Sequence, residues 1–323
     1  MNSNLFDTLN HAWGTIGPRM LEACVEFAAY VGTAHALITF SGTAALEATL
    51  RGLCGDDPDA EVIAASYGDP RAASVAKAIG AKVVFADIDY DTGMLSPAST
   101  AKKLSPHTKA VLVESLGGNA PDITALGGVC GAEKLVIWLP CGVGTALSGG
   151  FAAAVCDLGA ASAVDIGAGA LAVNDTALFS RIFAYHNCGR PFGERETLTF
   201  GNAIIGGDLR VAEFPCALLP DALAQAEDRL AARRAAYAKA ASGDWPCAGL
   251  SPLRQSGISS AAELWLGCDR IRCGACHAPA ARRGYTVLPT YEPLHRKPLF
   301  GELADDDFPN TCMAESGYLR IRL

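Results

Sequence analysis

The sequence predicts an α/β fold, a three-layer sandwich around a mostly parallel central sheet, followed by a small α+β C-terminal domain. Three observations carry this. Short apolar runs alternate with helical patterns of about ten residues through the middle of the chain, as in parallel strands covered on both faces. Hydrophobic residues make up 50% of the 323 positions, enough for a large core. The pattern changes once, near residue 220, where a long run rich in Ala, Arg and Leu reads as one amphipathic helix.

Taken in order, a helix is expected over 20–31. The Ser41-Gly42-Thr43 turn then opens a second helix over 44–53. Strands follow at 61–65, 82–87, 109–114, 134–139, 161–164 and 168–173, with a helix over 70–79 between the first two. The amphipathic helix over 220–242 serves as a connector. It divides the chain into a large domain, 1–242, and a small C-terminal domain, 243–323.

The net charge is −8 and the sequence pI about 5.3, with no basic stripe, so nucleic acid is not an expected partner. Met1–Asn10 has no basic region leading into an apolar stretch. The longest apolar runs, 149–156 and 168–173, fall far short of the roughly 20 residues that span a bilayer. A cytoplasmic protein without a membrane partner is expected. Twelve cysteines are scattered from Cys24 to Cys312 and are expected to be reduced core residues. Cys273-Gly274-Ala275-Cys276-His277 matches the C-x-x-C-H haem pattern, and Cys268 adds a third thiol. With no second C-x-x-C pair and no export signal, these read as helix-packing residues, and no metal is expected.

The order of segments resembles the DegT-type sugar aminotransferases, fold-type I pyridoxal-phosphate enzymes with an aspartate-aminotransferase-like large domain. The likeness runs from Gly14-Thr15-Ile16-Gly17-Pro18 through the phosphate-loop-like Ser41-Gly42-Thr43-Ala44-Ala45-Leu46. It continues through Gly80–Asp89, Gly118-Asn119-Ala120-Pro121-Asp122 and Gly207–Phe214. The last segment, 291–300, looks most like the branch that aminates cyclitols and related rings. The resemblance implies a dimer, with itself or with a family paralogue. It also implies that Ser41, Gly42 and Thr43 are a phosphate or anion loop.

Against this pattern several residues depart. The family lysine that bonds the cofactor aldehyde lies between the strand aligned with 161–164 and the glycine-rich turn aligned with 166–169. Only Asp165 separates them here, so the loop reads as deleted, and no lysine falls between Lys134 and Lys239. Leu139 stands where an aspartate should face the pyridine nitrogen. Asp69 replaces the stacking aromatic, and Asp208 the asparagine of the neighbouring subunit that often contacts the phosphate. The expectation is a protein with no cofactor. It would be a degenerate family member serving as a non-catalytic partner subunit, or a repurposed enzyme of sugar-, cyclitol- or ring-metabolite biosynthesis that works without pyridoxal phosphate. The alternative is an active aminotransferase whose lysine is displaced or supplied by its partner. If catalysis persists, Asp69, Cys141, Asp165 and His186 are its candidate residues, a thiol, an imidazole and carboxylates suited to nucleophilic or acid–base chemistry. Arg71 is the candidate ion-pair partner of Asp69. Tyr67, Arg210, His295 and Arg296 are the candidate contacts for an anionic or polyhydroxylated small molecule.

Overall fold

A computed structural model describes residues 16–143, 150–191, 204–243, 245, 249–255, 260–268 and 273–323. A seven-stranded sheet has the order β1-β7-β6-β5-β4-β2-β3. Its strands are β1 (His35–Thr39), β2 (Glu61–Ala65), β3 (Lys82–Ala86), β4 (Thr108–Glu114), β5 (Leu135–Leu139), β6 (Ala153–Leu158) and β7 (Ala168–Val173). Only β7 runs antiparallel to its neighbours β1 and β6. Every residue of β5 and β7 is buried, because helices cover both faces of the sheet. These helices include α1 (Pro18–Val31), α2 (Gly42–Cys54), α3 (Pro70–Ala78), α4 (Pro97–Lys103), α5 (Ile123–Cys130) and α6 (Thr176–His186).

The local causes are legible. Pro18, Pro70 and Pro97 occupy the first turns of α1, α3 and α4, where a missing N–H costs nothing. Asp69, Ser96, Asp122 and Asp175 cap α3 to α6, each accepting a backbone N–H from the first turn.

Three expectations are corrected. The strand placed at 161–164 lies at β6, 153–158, where backbone pairing to both β5 and β7 fixes it. Nine residues, 159–167, therefore separate β6 from β7, where the sequence reading left Asp165 alone. Strand β1 was not foreseen; it forms the sheet edge by pairing with β7 along its whole length. The helix expected over 220–242 is two helices, α7 (Glu213–Ala224) and α8 (Ala226–Ala241), meeting at Gln225. Pro220 lies within α7 rather than at a helix start.

A second, all-antiparallel sheet has the order β10-β11-β9-β8, from β8 (Ser251–Pro252), β9 (Glu263–Gly267), β10 (Thr286–Leu288) and β11 (Tyr318–Arg322). Helices α9 (Gly274–Arg282) and α10 (Pro309–Gly317) accompany it. Tyr67, Ile88 and Leu116 of the large sheet's connections pack with Leu253, Trp265 and Tyr318 of the small sheet in one buried cluster. Cys276 is disulfide-bonded, a correction to the expectation of reduced thiols there. Cys268 and Cys273 are free and buried, and among the described residues these positions form no metal-binding group.

Candidate functional site

Parallel strands leave a crevice beyond their C-terminal ends, where open α/β sheets carry their ligand sites. Here the ends of β2, β4, β5 and β6 deliver Asp69, Glu114, Trp138 and Asp157. Arg71, in the first turn of α3, ties them together. Its Nε and Nη2 hold Asp69 Oδ2 at 2.7 and 2.6 Å, and its Nη1 reaches Asp157 Oδ2 at 2.7 Å. The guanidinium carbon stands 5.3 Å from the ring centre of the fully buried Trp138. The partner proposed for Asp69 from sequence is thus the one the fold supplies. Asp69 also caps α3, accepting from Arg71 N at 2.9 Å.

Glu114 is the group left over. Its Oε2 accepts the Asp69 N–H at 2.7 Å, while Oε1 is buried without a hydrogen-bond partner. Burial first, and then the negative charge of Asp69, push its carboxyl up to about 8, far above the usual carboxylate range. Gly68, at φ +148°, allows the approach: a Cβ there would lie 2.3 Å from Glu114 Oε2. Gly68, Asp69, Glu114, Trp138 and Leu294 line a cavity of about 20 Å³, room for one water.

Beside this cluster lies the anion loop. Ser41 Oγ caps α2 by accepting from Ala44 N at 3.1 Å. Gly169 of β7 is pressed onto this turn so closely that a Cβ would fall 2.1 Å from the Ser41 carbonyl carbon. The N-terminus of α2 with Ser41, Gly42 and Thr43 can hold an anion through its free backbone donors. Asp157 flanks it: a Cβ on Gly42 would meet the Asp157 Cα at 2.8 Å.

The remaining sequence candidates are not brought together. Cys141 is buried just past β5, and burial pushes its thiol up to about 12, the wrong direction for a nucleophile. Asp165 is exposed on the β6–β7 loop, where it caps a turn through Gly167 N. His186 is fully buried at the end of α6, with neither ring nitrogen hydrogen-bonded, and burial holds its imidazole down at about 4. Tyr67 is buried in the aromatic cluster, edge-on to Trp265, Tyr291 and Tyr318.

Nor are the basic candidates free. Arg210 is engaged by Asp208 through both carboxylate oxygens, at 2.6 and 2.7 Å, which also offsets the charge of Asp208. His295 is buried between Ser66 and Asp305 and stacks on Phe308, with ring centres 4.1 Å apart. Arg296 is forked onto Asp305 and paired with Glu315. The open basic cluster expected at 295–297 is instead neutralised at the surface by Asp305, Glu315 and Glu292.

Glu114, Trp138 and Asp157 were not singled out by the sequence reading. Glu114 closes a predicted strand, the position at which parallel sheets present functional groups, and this signal was available. Asp157 was hidden by the misplaced strand.

The β6–β7 loop stands where the family resemblance places the lysine. Arg233 of α8 holds its Ala161 and Ser162 carbonyls at 2.7 and 3.1 Å, and Arg229 holds the Ala163 carbonyl at 3.1 Å. The loop carries no lysine. Of the eight lysines in the chain, Lys82, Lys103, Lys109 and Lys297 are ion-paired with Glu61, Asp307, Asp57 and Glu292.

Residues 1–320 match the model of the DegT/DnrJ/EryC1/StrS aminotransferase family, and the chain belongs to that family. It is 28% identical over 222 residues to 3-amino-5-hydroxybenzoate synthase of Amycolatopsis mediterranei, covering 64% of this chain and 55% of that protein. It is also 28% identical over 317 residues to the L-glutamine:2-deoxy-scyllo-inosose aminotransferase of Streptoalloteichus tenebrarius, covering 89% of this chain and 74% of that one. Among solved structures, 3-amino-5-hydroxybenzoic acid synthase superposes with a TM-score of 0.86 at 22% identity, over 99% of this chain and 89% of that one. The putative sugar aminotransferase Spr1654 of Streptococcus pneumoniae, in its PLP-form, gives 0.83 at 17% identity, over 99% and 90%.

The expectation of no cofactor is corrected by this family membership. A chain with this fold has been solved in its PLP-form, and pyridoxal phosphate is the cofactor to expect. The fit of the residues present is divided. Ser41, Gly42 and Thr43 suit a phosphate. Leu139, buried at the end of β5, offers no charge to a ring nitrogen, and loop 159–167 offers no amine to an aldehyde.

Proposed function

We propose that this protein is a sugar- or aminocyclitol-type aminotransferase-family subunit that does not complete an ordinary transamination by itself, and that it works as the partner subunit of an active family member. The observation that carries this is the nine-residue β6–β7 loop, pinned by Arg229 and Arg233 and free of lysine. Pyridoxal phosphate supplies an electron sink for amino-group chemistry. Toward it this chain offers the α2 N-terminus and withholds the amine. The exposed apolar side chains Val25, Phe40, Ile205 and Phe214 suit burial against a second subunit.

The relatives named as aminotransferases favour a second reading, an active aminotransferase whose lysine comes from another position or from the partner. One experiment separates the two. The purified chain, alone and with its candidate paralogue, is incubated with pyridoxal phosphate, reduced with borohydride and weighed intact. Absence of a covalent adduct on the chain alone supports the first reading. A stoichiometric adduct on one of its own lysines, with a spectrum that responds to an amino donor, establishes the second.

A further inference from the structure

A second cavity, of about 370 Å³, opens on the far side of the lysine-free loop. It is lined by Ala160 and Ala161, by Arg233 from α8, by Ala262, Glu263 and Arg322 of the small sheet, and by Leu323. Its size is that of a metabolite site. Both oxygens of Glu263 are held by the Arg320 fork, at 2.6 and 2.7 Å, and the Trp265 indole donates to the same carboxylate at 3.0 Å. That leaves Arg233 and Arg322, neither of which has a carboxylate partner among the described residues. Arg233 spends two of its five N–H donors on loop carbonyls, and burial pulls its guanidinium below the usual arginine range, a shift that the charge of Asp165 offsets only in part.

We propose that this cavity binds a small oxyanion, a phosphate or carboxylate group, gripped between the guanidinium groups of Arg233 and Arg322. Guanidinium forks match both geometries, and an oxyanion would pair with two guanidinium groups that no carboxylate among the described residues holds. Because Arg233 also holds the Ala161 and Ser162 carbonyls, the ligand would fasten the β6–β7 loop from behind. This site is separate from the α2 N-terminus and does not depend on the proposed partner role.

The test is isothermal titration of the intact chain with inorganic phosphate and, separately, with succinate, at constant ionic strength. Saturable binding of either is expected, and the better ligand identifies the source of the oxyanion. Arg322→Gln, a change at an exposed position, should weaken binding about tenfold. Arg233→Lys, which keeps the charge but loses the fork, should weaken it comparably, while Lys102→Gln, an exposed position of α4 outside both anion sites, should leave it unchanged. No saturable binding by the parent protein, equal binding by Arg322→Gln, or loss of binding in Lys102→Gln would each overturn the proposal. The borohydride experiment is indifferent to all of these outcomes.

Discussion

Two arginines in this protein are each clamped between two carboxylates, and their surroundings make them different devices. Arg296 bridges Asp305 and Glu315 at the surface, with His295 as a further donor to Asp305. Asp305 is held well below the usual carboxylate range, first by Arg296 and then by His295, and water screens what is left over. Arg71 bridges Asp69 and Asp157 at the strand ends, over a buried indole and beside a third carboxyl, Glu114. The two guanidinium groups are about equally exposed, but Asp69 and Asp157 are 9% and 25% exposed against 54% and 41% for Asp305 and Glu315, so the deep cluster differs in its acids. The surface network is closed. The deep one is left with an acid that holds its proton to about pH 8. Local charge count and solvent access, rather than the number of ion pairs, decide which cluster can do chemistry.

The contrast can be broken most forcefully at Arg71. Arg71→Ala leaves three carboxyl groups facing one another and should cost about 2–3 kcal/mol in urea unfolding, below the ~3–5 of a fully buried pair because Arg71 is partly exposed. The other large effect is at Glu114. Its folded pKa is raised, so its contribution is fully present below the unfolded value near 4.5 and is lost as pH rises through about 8. Glu114→Gln should therefore gain on the parent across that window, by at most about 1.4 kcal/mol per pH unit, measured as a widening difference in urea midpoint. A pH-independent difference would remove the proton from the account of this site. His186 gives a smaller effect of opposite direction in pH. Its folded pKa is lowered to about 4, so stability present above about 6.5 is lost as pH falls toward 4. His186→Leu should flatten that acid limb. Smallest of all, Arg296→Ala should leave the urea midpoint without a resolvable change, and a large loss would show the surface network to be as dependent on its arginine as the deep one.

The sequence carried the repeating part of this molecule and not its exceptions. Strand β2 is found where a β-branched run between polar ends predicts it, and α3 starts at the proline that follows its capping aspartate. Strand β6 was misplaced because two short runs of small apolar residues, 153–158 and 161–164, look alike until one is seen paired to both β5 and β7. That slip shrank a nine-residue connection to Asp165 alone and hid Asp157. Contacts at long separation had no local signal: Arg71 meets Asp157 across 86 positions, and Arg320 meets Glu263 across 57. The 295–297 cluster was read as open because the acids that neutralise it, Asp305 and Glu315, come later in the chain. Recognition of the family was legible because it rests on the order of many segments, whereas the cofactor inference leaned on single positions and went too far.

The β6–β7 loop also has a mechanical consequence. Three of its successive carbonyls are fastened to a single helix, α8, by Arg229 and Arg233. Loop and helix therefore move as one body, and both arginines must let go before the loop can rearrange by itself.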